Sequence, residues 1–510
     1  PDPSDTNAVY VNSQYLGLTR VNLTTLEAQA LRPGNPTGEA SKRGNWGAPP
    51  PRVGTYTAHA NWDAPLVVSP HDPATLYAGM RLLWKSTDRG QTWTSLGDLT
   101  NRVDRRTLRI MGRLPDERTP SLDDGVPYWP TITALAESPL RAGHLWVGTD
   151  DGNVQRSTDG GRTFTNVARN VPGLPEGSWI AGLEASRHAA ERAYLAVDNH
   201  RSDDLRNYLY RTDDGGRTWR SIVGDLPPER SIHTVREDPV NPELLYLGTE
   251  MGLYVTVDGG RHWVELVSNL PRVPVYDLVV HPRDGDLVLG THGRGIWILD
   301  DLRPLRELTP AVLAGGGAHL FTIRAATQTR LAGTKAHTGD VYYRGENPPN
   351  GALVSYWLPA AADTARVRLT VHDASGAPVA TLAPTVRAGM NRVVWNLRHA
   401  PLPAPRAGGD DEDEGRRAGP VPGPLVVPGT YAVRLTVDGR TSEQRVVVRE
   451  DPRLRVAPAE RAAWTATLQR VGALYARALA LVDSADAVGR RVAERGGPLL
   501  VVDGVAQGPA

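Results

Sequence analysis

Acidic, basic and aromatic residues recur in the turns of this sequence, and their types could bind or cleave a sugar chain. Two carboxyl groups about 5 to 10 Å apart can hydrolyse a glycosidic bond. Arginines and aromatic rings can hold a polar ligand. The candidates in these turns are Asp63, Arg81, Asp124, Asp150, Asp151, His200, Arg201, Asp203, Glu250, His292 and Arg294.

The sequence lacks the residues that several classes of active site require. The chain has no cysteine and no phosphate loop, nucleophile elbow or H-E-x-x-H motif, so we predict neither a metal nor a cofactor. A sialidase-like site needs three arginines, and Arg81, Arg201 and Arg294 could converge, but no tyrosine–glutamate pair can be assigned. A hydrolytic pair would come from Asp63, Asp124, Asp150, Asp151, Asp203 and Glu250.

A structural interpretation competes for each of these residues. Tight hairpins favour aspartate and glycine for conformational reasons alone. His292 and Arg294 form a basic pair where other turns carry acids, and an ion pair with Asp150 or Glu250 is an alternative to ligand binding.

A repeated motif indicates how the candidates are positioned. Four segments, at residues 86–93, 157–164, 212–219 and 256–263, share the frame S/T-x-D-x-G-x-T/H-aromatic. Upstream of each segment lies an apolar run that ends at a breaker, which we read as strand A, and then a β-rich run that contains strands B and C. The motif forms the turn after strand C, and strand D follows it. Such a recurrence is typical of β-propeller blades.

The motif residues have local structural roles. Its aspartates can accept backbone N–H bonds within the turn, and its aromatic residues can pack between blades. Four equivalent copies cannot all be one active site, which favours the structural role. The residues concerned are Asp88, Asp159, Asp214, Asp258, Trp93, Phe164, Trp219 and Trp263.

Two weaker copies, at the N-terminus and from residue 275, bring the array to six blades. We therefore predict an all-β chain: a six-bladed propeller over residues 1–308, a linker over 309–350, an immunoglobulin-like sandwich over 351–450 and a short helical tail over 457–510. The first blade lacks strand A, so we expect an open ring, or one closed by HLFTIR, in a chain cut from a larger pair of propellers. The acidic GGDDEDEGRR insert reads as a solvated loop, with a calcium site as the alternative.

The alternation of antiparallel strands divides the turns between two faces. The A–B and C–D turns lie on one face, and the B–C and D–A turns on the other. The candidates fall in B–C and D–A turns, so we expect Asp150, Glu250 and His292 on the face opposite the motif turns.

The four motif segments resemble the Asp-box (BNR) repeat family, which includes sialidases, xyloglucan-active glycosidases and sortilin-type Vps10 receptors. The phrases NWDAPLVVSPHDP and GTHGRGIWILDDLRPL resemble a bacterial subgroup of Vps10/sortilin-like or "glycosyl hydrolase" BNR proteins. Residues 373–431 resemble a FlgD-type Ig-like module. The resemblance implies a secreted or periplasmic protein, whose signal would precede this sequence.

The net charge and the hydropathy of the chain limit the classes of partner that we expect. The 57 basic and 57 acidic residues balance, which argues against nucleic acid, and no apolar run approaches the length of a membrane span. We expect a non-catalytic binding or scaffolding module for a glycan or peptide. The alternative is a xyloglucanase- or sialidase-like glycoside hydrolase, and a xyloglucanase-like site would take one aspartate from each of two propellers.

Overall fold

The computed structural model describes residues 2–33, 59–109, 112–119, 128–330, 345–402 and 421–494. The chain divides into two compact units, Pro1–Pro310 and Ala311–Ala510. Asp124 and the GGDDEDEGRR insert lie outside the described residues.

Six small sheets, numbered I to VI in chain order, make up the first unit in its described part. Neighbouring strands of each sheet are consecutive in sequence and antiparallel. Sheet I contains β1 (Ala8–Val11), β2 (Thr19–Asn22) and β3 (Ala28–Ala30). Sheet II contains β4 (Leu66–Val68), β5 (Leu76–Gly79), β6 (Leu82–Ser86) and β7 (Thr94–Asp98). Sheet III contains β8 (Ile132–Glu137), β9 (Leu145–Thr149), β10 (Val154–Ser157) and β11 (Thr165–Asn166).

The remaining three sheets repeat this plan. Sheet IV contains β12 (Ile180–Ala185), β13 (Ala193–Val197), β14 (Tyr208–Thr212) and β15 (Arg220–Ser221). Sheet V contains β16 (Ile232–Glu237), β17 (Leu245–Thr249), β18 (Gly252–Thr256) and β19 (Val264–Glu265). Sheet VI contains β20 (Val275–Val280), β21 (Leu287–Thr291) and β22 (Ile296–Leu299). Helix α1 (Arg303–Glu307) follows.

Successive sheets pack face to face through their first strands, so β8, β12, β16 and β20 adjoin one another in that order. The second strands carry glycine where the next sheet comes closest. A Cβ on Gly148 would lie 2.3 Å from Cγ2 of Ile180, and one on Gly79 would lie 2.7 Å from Cγ2 of Ile132. The recurring A-G and V-G dipeptides therefore set the spacing between sheets.

The four motif turns share one hydrogen-bond pattern. In the turn of sheet IV, Asp214 accepts bonds from the Thr212 hydroxyl (2.9 Å) and from the backbone N–H (2.9 Å) and hydroxyl (2.7 Å) of Thr218. The aspartates of sheets II, III and V accept the same three bonds, with a histidine replacing the second hydroxyl in sheet V. Each turn is thus closed by one carboxylate.

The motif aromatics contact the preceding sheet. The Trp93 indole donates to the carbonyl of Leu31 at 2.8 Å, and the Trp263 indole donates to that of Ile222 at 3.1 Å. Trp219 packs edge-on against Trp146, with centroids 5.8 Å apart. Phe164 packs on the core formed by sheets II and III. The motif therefore joins each sheet to its predecessor.

The outer face of sheet VI differs from those of the sheets before it. Val279 (51%), Ile296 (75%) and Ile298 (58%) are exposed there. The same strands bury Val275 and Leu278 against sheet V. Sheet VI is thus packed on one side only within the described structure.

The second unit contains two sheets around one core. Helix α2 (Pro310–Ala314) lies at the start of this unit. The smaller sheet joins β23 (His319–Leu320), β25 (Ala352–Leu358) and β28 (Gly389–Trp395). The larger joins β24 (Ala326–Thr327), β30 (Arg440–Arg449), β29 (Gly429–Val437), β26 (Val367–His372) and β27 (Pro378–Leu382). Helix α3 (Pro458–Glu494) follows.

The prediction of an all-β chain built from small antiparallel sheets is confirmed. Two local expectations need correction. HLFTIR does not complete the first array, because β23 pairs with β25 of the second unit. Residues 309–350, predicted to be a linker, contain the paired strands β23 and β24. The predicted helical tail is present as a single helix of 37 residues.

Replacing Trp263 by alanine should destabilise the first unit by about 3–5 kcal/mol, because a buried indole and its hydrogen bond are lost. The matched control is Trp464→Ala, which removes a tryptophan that is 64% exposed and should cost within about 0.5 kcal/mol. Urea unfolding followed by circular dichroism measures both. Equal costs for the two variants would contradict the joining role of the motif aromatic.

Candidate functional site

The loops between second and third strands, together with those entering each sheet, lie at the strand ends opposite the motif turns. They carry Asp63 before sheet II, Arg201 in sheet IV, Glu250 in sheet V and His292 in sheet VI. These four sheets therefore present their polar loops on one face.

Tyr276, on the first strand of sheet VI, lies at the centre of this group. Burial raises the pKa of its phenol, and the negative charges of Glu250, Asp198 and Asp63 raise the pKa further. Those carboxylates belong to sheet V, to sheet IV and to the loop before sheet II. One hydroxyl therefore lies within electrostatic reach of carboxylates from three separate parts of the chain.

Asp63 differs from the other carboxylates of this face. Desolvation raises the pKa of Asp63, although the charges of Arg201 and His292 lower it. The residue is exposed, although its neighbours desolvate part of the carboxyl group. Within the described ranges, no donor hydrogen-bonds its carboxylate and no cation lies within 4.0 Å of it. Asp63 is thus a partly desolvated carboxyl group that a ligand could reach.

A histidine links two further carboxylates. Nδ1 of His233 lies 3.4 Å from Asp198, and Nε2 lies 2.9 Å from Glu250. The His233 ring also stacks on Tyr276, with centroids 4.1 Å apart. Burial lowers the pKa of His233, but the hydrogen bonds to Asp198 and Glu250 outweigh it and raise the pKa above its ordinary value.

Asp198 is held in its charged form. Burial raises the pKa of Asp198, but hydrogen bonds from His200 and His233 reverse this and keep the pKa far below its usual range. Nδ1 of His200 lies 2.8 Å from the carboxylate. The cluster therefore combines a buried carboxylate with an exposed one, Glu250, on either side of the His233 imidazole.

Two of the predicted ligand-binding aspartates are anchors instead. Asp150 is fully buried and accepts bonds from the N–H (2.7 Å) and hydroxyl (2.6 Å) of Thr131, while burial raises the pKa of Asp150 to about 8. Asp151, also fully buried, accepts from the Thr149 hydroxyl at 2.6 Å and from the N–H of Val103. Neither carboxyl group is accessible to a substrate.

The structure does not bring the remaining predicted ligand-binding residues together in one cluster. Arg81 pairs with Asp98 of its own sheet at 3.3 Å, Asp203 is exposed in a left-handed turn, and Arg294 is exposed. His292 lies tilted against Tyr276 at 5.6 Å. Glu250 contacts His233 rather than either member of the basic pair.

Sequence reasoning missed Asp198, His233 and Tyr276. Asp198 adjoins a loop that was singled out, so its position was a usable signal. His233 and Tyr276 lie in alternating strands, and nothing in their local pattern distinguishes them from packing residues. Across the described ranges, no group of three or more acidic or histidine side chains is placed to hold a metal ion. No described helix is long and apolar enough to cross a membrane.

No family model matches the chain. The oligoxyloglucan-reducing end-specific xyloglucanase of Emericella nidulans is 25% identical over 183 residues, which cover 32% of this chain and 22% of the relative. Xyloglucanase Xgh74A of Acetivibrio thermocellus is 24% identical over 238 residues, which cover 33% of this chain and 26% of the relative. The chain thus matches about a quarter of the length of these relatives.

Solved structures show a more distant likeness. The GH74 enzyme of Niastella koreensis is 14% identical, with a TM-score of 0.40 over 87% of this chain and 64% of that one. The GH74 xyloglucanase of Xanthomonas campestris is 15% identical, with a TM-score of 0.35 over 86% and 85% of the two chains. Scores this low support no conclusion about the fold.

The relatives overturn one expectation. The curated proteins that share sequence with this chain are named as xyloglucanases, which are glycoside hydrolases. The prediction of a non-catalytic binding module is therefore wrong, and the sequence relatives favour its alternative.

The charge of His233 gives the site a measurable pH dependence. A raised native pKa means that the imidazolium stabilises the fold fully below the unfolded pKa of about 6.5, and that this stabilisation is lost as the pH rises through the native value. We expect His233 to titrate above 6.5 by NMR of histidine-labelled protein, and Glu250→Gln to lower its pKa. An unchanged titration in this variant would contradict the contact with Glu250.

Proposed function

We propose that the chain carries a glycoside-hydrolysing site in which Asp63 is the general acid. One observation supports this role above the others: Asp63 is the carboxyl group of this face that is both exposed and desolvated, with no hydrogen-bonding partner in the described ranges. A raised pKa favours the protonated form of such a group, and a protonated acid can donate to the glycosidic oxygen as the bond breaks.

Glu250 is the proposed second carboxylate. Its side chain is 45% exposed and accepts a hydrogen bond from His233 at 2.9 Å. The His233 imidazole in that position orients the carboxylate. Glu250 would then remove a proton from the attacking water, or attack the sugar itself, while Asp63 protonates the leaving oxygen.

The other predicted carboxylates fit less well. Asp150 and Asp151 are buried and hydrogen-bonded within the fold. Asp203 lies in an exposed turn and is not among the charges that act on Tyr276. Asp63 and Glu250 both do so, which supports their pairing.

The surrounding aromatic rings suit a sugar. Trp62, adjacent to Asp63, is 43% exposed and packs edge-on against Tyr15 at 5.3 Å. Sugar rings stack on exposed aromatic faces of this kind. The relatives named above act on xyloglucan, so the proposed substrate class is a plant-type or similar polysaccharide.

Our proposal extends to architecture and location. The order of sheets I–VI, with motif turns at one end and polar loops at the other, supports six blades of a propeller. Two sheets around one core support an immunoglobulin-like second unit. A polysaccharide substrate supports export from the cell.

Asp63→Asn should lower kcat on oligosaccharide substrates by about 100- to 10,000-fold, because the proton donor is lost. Glu250→Gln should have a similar effect. The matched control is Asp203→Asn, an exposed aspartate of the same face, which should retain activity. Reducing-sugar release and circular dichroism measure activity and folding.

The pH profile tests the assignment separately. Since Asp63 must be protonated, activity should fall as the pH rises through its raised pKa. A substrate whose good leaving group needs no proton should partly restore the turnover of Asp63→Asn. Full activity in this variant would overturn the proposed function.

A further inference from the structure

A pocket lies beside the proposed site, between loops of sheets III and IV. Its walls include three arginines, Arg105, Arg109 and Arg201, and two tryptophans, Trp129 and Trp179. The proposed hydrolytic pair does not use any of these side chains. The space enclosed is about 20 Å³, which holds a group of a few atoms and excludes a whole sugar ring.

Arg201 is the best placed of the three arginines. Its guanidinium carbon lies 4.2 Å from the centroid of the Trp179 ring. Stacking occupies the face of the guanidinium and leaves its N–H edge for a planar acceptor. In the described part of the chain, no carboxylate lies within 4.0 Å of this guanidinium. Arg201 is thus oriented by a tryptophan without a carboxylate in contact.

The acidic residues that border the pocket do not neutralise it. Asp150 has a pKa of about 8 and is therefore mostly uncharged at pH 7. Asp198 is charged, but His200 and His233 pair with it. Arg109 donates to the carbonyl oxygen of Gly112 at 3.0 Å, which carries no charge. These neighbours therefore leave Arg201 without a carboxylate in contact within the described ranges.

We propose that this pocket binds the carboxylate of a uronic acid residue in the substrate, with Arg201 as its principal contact. This inference rests on the proposed function and adds that the glycan is acidic. A carboxylate matches the guanidinium fork because both groups are planar and can form two parallel hydrogen bonds.

The placement also suits the reaction. The charge of Arg201 acts on both Asp63 and the Tyr276 phenol, so this wall of the pocket lies within electrostatic reach of the proposed acid. A uronate held there would place its own ring, or the neighbouring one, next to Asp63. Arg201 would therefore determine the preference for an acidic over a neutral glycan.

Binding is measured apart from catalysis, with Asp63→Asn as the background and calorimetry as the method. The probes are a glucuronic acid-containing oligosaccharide, its neutral glucose counterpart and a sulfated counterpart. The acidic oligosaccharide should bind about 10- to 100-fold more tightly than the neutral one, and its affinity should fall as salt is raised.

Arg201→Gln should abolish this preference, and Arg201→Lys should restore only part of it, because lysine keeps the charge but lacks the fork. Arg294→Gln, which removes an exposed arginine of the same face, is the matched control and should bind as the background does. Circular dichroism checks that each variant folds.

Equal binding of acidic and neutral probes, or an unaffected preference in Arg201→Gln, would overturn the inference. So would equal or tighter binding of the sulfated probe, because the pocket would then select charge and not a carboxylate. Selective uronate binding without any turnover by the unmodified protein would support the inference while refuting the proposed function. Turnover of neutral glycans without uronate preference would do the reverse.

Discussion

The first unit depends on one interaction made four times: a carboxylate that closes a turn and holds an aromatic ring against the preceding sheet. In sheet IV this is Asp214, with three hydrogen bonds, followed by Trp219 packed on Trp146. The turn fixes the third and fourth strands, and the ring fixes the sheet to its neighbour. Because each sheet alone is too small to bury its faces, this joining determines where the next one lies.

The carboxylates at the two ends of the strands have different roles. Those of the motif turns form hydrogen bonds within the fold. The loops at the other strand ends carry anchoring carboxylates, Asp150 and Asp151, but also a carboxylate that no described donor hydrogen-bonds. Asp63 is the clearest case, since desolvation acts on it without a compensating bond. Polar groups that a fold leaves uncompensated in a concave surface are where function is found most often.

The sequence predicted the repeated features of the fold and missed the contacts that occur only once. Motif frames and alternating strands follow from local pattern, so the antiparallel sheets and the position of Asp63 in an entering loop were accessible. Burial of Asp150 was not, because Thr131 and the neighbouring loops enclose it. The His233 cluster was missed for the same reason: its partners come from two other loops. The pairing of HLFTIR with β25 depends on a contact across more than thirty residues.

The exposed face of sheet VI has a consequence for how the site responds to heat. Tyr276 and His292 belong to the sheet that, within the described ranges, is packed on one side only. Partial packing lowers the free energy of local opening. On warming, this wall should loosen while sheets III to V are still intact. We therefore expect the site to lose its shape below the melting temperature of the unit, so that a calorimetric Tm would overstate the range in which the protein works.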